Sequence, residues 1–131
     1  MAVQVLQWNC RSIFRKLPEF KQFLSTFHAL PGIICLQETH LISKYQPSLP
    51  GYTLLCKDRP PRLGKGGGLC IAVKHSIVYS EATPVSHTAM EVMGIKLNDL
   101  YLFHTTPQAV PWILNFSPAD WIPEIHLMRR L

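Results

Sequence analysis

Val3-Gln4-Val5-Leu6-Gln7-Trp8-Asn9 and Ile33-Ile34-Cys35-Leu36-Gln37-Glu38, with the stretch between them, decide how this chain folds. Polar and apolar residues alternate from Val3 to Trp8, a period of two that predicts a strand. Asn9-Cys10-Arg11-Ser12 reads as a turn, with Ser12 the expected N-cap of a following helix. Between Ile13 and Phe27, apolar Ile13, Leu17, Phe20, Phe23, Leu24 and Phe27 recur at helical spacing. Pro18 moves the start of the regular helix to its own neighbourhood, and Pro31-Gly32 closes the segment. Ile33 to Leu36 is a continuous apolar run, the pattern of a strand buried on both faces. Strand, helix, buried strand is a βαβ crossover, which is right-handed with its strands parallel. Both strands then end on one edge of the sheet, so topology alone brings Asn9 and Glu38 to a common rim.

Outward from this unit, Thr39 to Pro50 is a polar loop, and Gly51 to Cys56 reads as another strand. Lys57 to Gly68 is a basic, Pro- and Gly-rich connection into a strand over Leu69–Lys74, with a further short strand expected at Ile77-Val78-Tyr79. Glu91 to Leu97 alternates, Asn98-Asp99 is a turn dipeptide, and Leu100 to Phe103 runs back, which predicts a hairpin. Beyond Thr105, four prolines and two tryptophans occur without a sustained period, although Trp112-Ile113-Leu114 suits a small strand and Ile125 to Leu131 a short helix. Strands at short spacing after an opening βαβ unit give an α+β class. Two regions follow: 1–104, the folded part, and 105–131, a divergent tail.

The composition fits one domain. With 131 residues and 47% hydrophobic residues the chain can fill one core, which excludes a disordered chain. No apolar stretch reaches the roughly 20 residues of a membrane span, and Met1 to Trp8 lacks the basic lead and cleavage site of a signal peptide. A nuclear or cytoplasmic protein is expected. Cys10, Cys35, Cys56 and Cys70 show no Cys-x-x-Cys spacing, so they are expected as free thiols rather than disulfides or zinc ligands.

The net charge is +5, and Lys57, Arg59, Arg62 and Lys65 concentrate part of the surplus between two predicted strands. Such a cluster suits a phosphate backbone, although a solvated loop has the same composition. Gly64-Lys65-Gly66-Gly67-Gly68 is not a nucleotide-binding loop: Leu69 follows the glycines and a strand, not a helix, comes next. Its glycines instead allow close backbone approach to a nucleic acid. Glu38, directly after a buried strand, is a candidate oxygen ligand for a hard divalent cation. Asn9 offers an amide that can bond a phosphate oxygen or orient a carboxylate.

Leu6-Gln7-Trp8-Asn9-Cys10-Arg11-Ser12 and Ile33-Ile34-Cys35-Leu36-Gln37-Glu38-Thr39-His40 resemble the first two motifs of the endonuclease domain of non-LTR retrotransposons. That group is similar to apurinic-site endonucleases and deoxyribonuclease I, within the exonuclease–endonuclease–phosphatase superfamily. Leu49-Pro50-Gly51-Tyr52 and Gly66-Gly67-Gly68-Leu69-Cys70-Ile71-Ala72-Val73 continue the resemblance in order, over about residues 3 to 104. It implies part of a four-layer αββα sandwich, cut after roughly the first sheet, whose inner face would lie uncovered.

The resemblance further implies phosphodiester hydrolysis of DNA with Mg2+ (or Mn2+), Glu38 as metal ligand and Asn9 as the active-site asparagine. Arg11, Lys57, Arg59, Arg62 and Lys65 would bind DNA, and a reverse transcriptase domain would accompany the endonuclease. The sequence departs from the family after Phe103. His104-Thr105-Thr106 stands where Asn-x-Tyr is expected, and neither Gly-Asp-x-Asn nor an Asp-His pair occurs. The implied function is a metal-dependent DNA endonuclease domain, incomplete and inactive as an isolated chain. The alternative is a non-catalytic nucleic-acid-binding remnant or a product without activity.

Overall fold

The computed structural model of the chain describes residues 3–42, 47–59, 66–82, 91–98, 100–105 and 112–115. The opening unit is β1 (Val5–Asn9), α1 (Leu17–Leu24) and β2 (Ile33–Gln37), with β1 and β2 parallel and Asn9 level with Gln37. The helix starts later than its apolar pattern because Pro18 occupies the first turn. Its N-cap is Lys16, not Ser12: Ser12 takes φ 78 and donates its N–H to the Glu38 carbonyl at 2.8 Å. Leu17, Phe20 and Leu24 are the buried stripe, and Ser25 closes the helix by donating its N–H to the carbonyls of Lys21 and Gln22.

β3 (Tyr52–Lys57) and β4 (Leu69–Lys74) complete the first sheet in the order β1-β2-β4-β3, with β2 antiparallel to β4 and β4 antiparallel to β3. The central strands β2 and β4 are the apolar runs, as burial on both faces requires. One face, carrying Leu6, Ile34, Leu36, Cys70 and Ala72, packs under α1, where Trp8 stacks on Phe20 with ring centroids 4.9 Å apart. Leu41 and Leu49, from the loop that reads as polar, are buried in this same cluster.

The second sheet runs β5 (Ser80–Glu81), β6 (Val92–Leu97), β7 (Leu100–Thr105) and β8 (Trp112–Asn115), antiparallel throughout. Asn98 takes φ 50 in the two-residue turn between β6 and β7, as such hairpins require. Met93, Ile95 and Leu102 from this sheet meet Val5, Ile33, Cys35, Leu69, Ile71 and Val73 from the first. The inner face expected to lie uncovered is therefore covered, because the chain after β4 supplies enough of the second sheet to close it. Among the described residues three layers result: helix, sheet, sheet.

Two further expectations are corrected. The segment Ile77–Tyr79 is not a strand; Ile77 donates its N–H to the Lys74 carbonyl in a turn, and Ile77 and Tyr79 fold against the inter-sheet core. Nor are all four cysteines free. Cys56 and Cys70 face each other across β3 and β4, Cα atoms 4.1 Å apart, and form a disulfide, whereas Cys10 and Cys35 are free and buried. Antiparallel register, invisible in the spacing of cysteines along the chain, brings the pair together. The expected helix at Ile125–Leu131 lies outside the described residues. No helix among the described residues is long and apolar enough to cross a membrane.

Candidate active site

The parallel pairing of β1 with β2 does not stop at the strand ends. Cys10 donates its N–H to the Gln37 carbonyl at 2.9 Å, Ser12 to Glu38 at 2.8 Å and Ile13 to Thr39 at 3.1 Å. On the other side, Thr39 and His40 donate their N–H groups to the carbonyls of Gly68 and Gly67 at 3.2 and 2.9 Å. The segment Glu38–His40 is thus gripped along both edges, by the turn after β1 and by the glycines before β4.

This rim concentrates backbone strain. Arg11, Ser12, Glu38 and His40 have φ of 45, 78, 51 and 51, leaving Asn98 in its hairpin as the fifth such non-glycine residue described. Each costs on the order of 1 kcal/mol or more, and such conformations persist only where the surroundings over-determine them. Strain of this kind gathers at functional sites, and here the bonds that enforce it are visible.

Asn9 is exposed at the end of β1, and the Glu38 carboxylate is 41% exposed at the end of β2. The rim inferred from topology is therefore real. Arg11 reaches toward it, with Nε 4.0 Å from Glu38 Oε2 and a side chain 82% exposed. An ion pair so solvated adds little stability, and its guanidinium remains accessible to a phosphate.

Beneath the rim lies a buried polar layer that the apolar pattern of the strands conceals. Gln7 Nε2 donates to Gln37 Oε1 at 2.8 Å, and Gln37 Nε2 donates to the Thr105 carbonyl at 3.0 Å. His104 is fully buried, its Nε2 2.8 Å from the Leu36 carbonyl. Desolvation holds the imidazole at a pKa of about 4, against the raising effect of that hydrogen bond. These bonds tie the end of β7 to the end of β2. The available signal was a polar residue directly after two apolar runs, Gln37 after Ile33 to Leu36 and His104 after Leu100 to Phe103.

The basic segment is organised differently. Arg59 Nε donates to Glu91 Oε1 at 2.7 Å, with the Arg59 side chain only 31% exposed, and Lys57 Nζ donates to the Val92 carbonyl at 3.1 Å. Arg62 and Lys65 lie outside the described residues, as does Thr106. Nothing local in the sequence connects Glu91 to Arg59. Among the described residues, no three His, Cys, Asp or Glu side chains cluster as a metal site.

A family model described as Endonuclease/Exonuclease/phosphatase family matches residues 6–130. The chain belongs to the Endonuclease/Exonuclease/phosphatase family. The match runs past residue 104 and takes in β8, which extends the second sheet.

Among curated proteins, a probable RNA-directed DNA polymerase from transposon X-element of Drosophila melanogaster is 27% identical over 92 residues. That alignment covers 70% of this chain and 10% of the fly protein, and it bears out the retrotransposon resemblance. Among solved structures, the 3′ phosphatase NExo from Neisseria bound to product DNA hairpin superposes with a TM-score of 0.58 at 18% identity. It covers 78% of this chain and 40% of its own. The 3′-5′ exonuclease NExo from Neisseria meningitidis gives 0.56 at 18% identity, over 76% of this chain and 39% of its own. These likenesses establish the fold as the DNase I-like sandwich of this Endonuclease/Exonuclease/phosphatase family. The chain thus spans about two-fifths of the matching structures.

Proposed function

We propose that the chain is a DNA-directed, divalent-metal-dependent phosphodiesterase domain of the retrotransposon type, with Glu38 as metal ligand and Asn9 beside it. The observation that carries this reading is the doubly gripped, strained turn that presents Glu38 next to the end of β1. The donor chemistry fits Mg2+ or Mn2+: an exposed carboxylate with a neighbouring amide oxygen supplies hard ligands. Mg2+ keeps several waters and takes only one or two carboxylates together with substrate phosphates. Such a cation, when bound, supplies charge that polarises a phosphate and stabilises the transition state.

The chain's own residues would then hold the DNA. Asn9 would bond a phosphate oxygen, and exposed Arg11 would contact the backbone. Arg62 and Lys65, outside the described residues, would add positive charge for the backbone, beside Lys57 and Arg59, which are held at β6 and its entrance. The named activities of NExo and of the X-element protein support DNA as substrate and a reverse transcriptase as companion domain. Chromosomal DNA as target would put the work in the nucleus.

A proton acceptor for water is what these residues do not supply. The sequence has no Asp-His pair and no Gly-Asp-x-Asn, and Thr106 replaces the expected tyrosine. General acid–base catalysis typically contributes about 10² to 10⁴-fold, so the chain alone should bind metal and DNA but cleave poorly.

Supercoiled-plasmid binding and nicking, with Mg2+ and with EDTA, beside Glu38→Ala, tests the proposal. Binding strengthened by Mg2+ and weakened in Glu38→Ala, with nicking at background, is expected. Mg2+-dependent nicking that Glu38→Ala abolishes would confirm the metal site and overturn the incompleteness. Binding indifferent to both Mg2+ and Glu38 would overturn the metal site and leave a non-catalytic nucleic-acid binder.

A further inference from the structure

The grip on the Glu38 turn has an unassigned origin. Gly67 and Gly68, whose carbonyls accept from His40 and Thr39, have φ of 69 and 92. A Cβ on Gly68 would come within 2.5 Å of Thr39 Oγ1, so this backbone lies directly against the Glu38–His40 segment. Backbone so placed needs something to hold it. Glu91, at the entrance to β6 with a side chain only 11% exposed, accepts the Gly68 N–H on Oε2 at 2.8 Å. Its other oxygen, Oε1, accepts from Arg59 Nε at 2.7 Å. One carboxylate from the second sheet therefore spans the connection between β3 and β4, taking Arg59 near its start and Gly68 at its end. Lys57 Nζ on the Val92 carbonyl repeats the attachment one residue along on β6.

We propose that Glu91 is a positioning residue for Glu38, acting through Gly68 and Gly67. The path is continuous: the Glu91 carboxylate fixes the Gly68 amide, the Gly68 and Gly67 carbonyls fix Thr39 and His40, and these hold Glu38 in its strained conformation. Charge-assisted bonds to a mostly buried carboxylate are the strong members of such a chain. By this route Arg59 braces the site, and the second sheet reports to a turn at the edge of the first. The metal half of the inference rests on the proposed role of Glu38; the mechanical half does not.

Hydrogen exchange of backbone amides in the full chain, read by 15N NMR, separates the two. In Glu91→Ala, the Thr39 and His40 amides should exchange about tenfold faster or more, while Leu36 in β2 keeps its protection. Glu91→Gln keeps one carbonyl acceptor and should give an intermediate change, which decides the matter if the alanine variant fails to fold. Mn2+ titrated into the same samples should bind about 10- to 100-fold more weakly in Glu91→Ala, the loss usual for a residue that orients a metal ligand. Unchanged exchange at Thr39 and His40, or acceleration shared equally by Leu36, would overturn the positioning role. If the unaltered chain binds no Mn2+, the metal reading of Glu38 fails, and the exchange rates still decide whether Glu91 holds the turn.

Discussion

The interior of the first sheet and its rim are built from the same two strands and obey opposite rules. Ile33, Ile34 and Cys35 in β2 and Leu69 to Val73 in β4 are fully buried apolar residues in regular pairing. A few residues on, Glu38 and His40 are polar, sit at positive φ and are held by bonds from two separate loops. Burial stabilises the first region. The second is strained, contributes little to burial, and is maintained by its neighbours. Stability and chemistry are thus divided along one strand, and a substitution should show on which side of the division it falls.

The largest expected effect on stability belongs to the interior. Ile34→Ala removes a side chain packed between the sheet and α1. It should cost about 2–5 kcal/mol in denaturant unfolding, with Mn2+ affinity preserved in whatever fraction remains folded. A cost below about 1 kcal/mol would break the assignment of stability to this region.

Reduction of the Cys56–Cys70 disulfide should come next, at about 3 kcal/mol for the loop of separation 14 that it closes. The check is thermal unfolding with and without dithiothreitol, beside Cys56→Ser, which should unfold alike in both. Equal melting of the parent chain under both conditions would mean the disulfide stabilises nothing.

Acid provides a third probe, of the layer joining the two regions. Burial holds folded His104 at about 4, below the ordinary histidine value of 6.5 that an unfolded chain would show. As pH falls the unfolded state takes up the proton first, so stability is complete above about 6.5 and declines from there toward 4. The loss should approach about 3 kcal/mol at the acid end. His104→Phe should flatten unfolding free energy measured across that window, and an undiminished slope would assign the acid sensitivity elsewhere.

The smallest stability effect is expected at the rim. Glu38→Gly should change unfolding free energy by no more than about 0.5–1 kcal/mol in either direction, since glycine relieves the positive φ and the half-exposed carboxylate has only the long, solvated Arg11 pair to lose. Loss of several kcal/mol would show that Glu38 is structural.

The same division explains what could be read from the sequence. The βαβ unit was legible because its signals are local: a period of two, then 3.6, then a continuous apolar run, with chirality fixing the rest. Asn9 and Glu38 followed from it. What escaped depends on register and on contacts between distant segments. Cys56 and Cys70 meet only because β3 and β4 pair in one register. Glu91 reaches Arg59 and Gly68 from another sheet. Lys57 and Arg59 looked like a charged surface, whereas both are engaged with β6 or its entrance. Leu41 and Leu49 sit in a polar-looking loop, and their burial reflects where that loop lies over α1's core.

Paramagnetic broadening by Mn2+ in the 15N spectrum, on the unaltered chain and on Glu38→Ala, tests the central claim most directly. The account predicts broadening centred on Asn9, Arg11 and Glu38 to His40, competed by Mg2+ and lost in Glu38→Ala. Broadening centred elsewhere, or unchanged in Glu38→Ala, would contradict it.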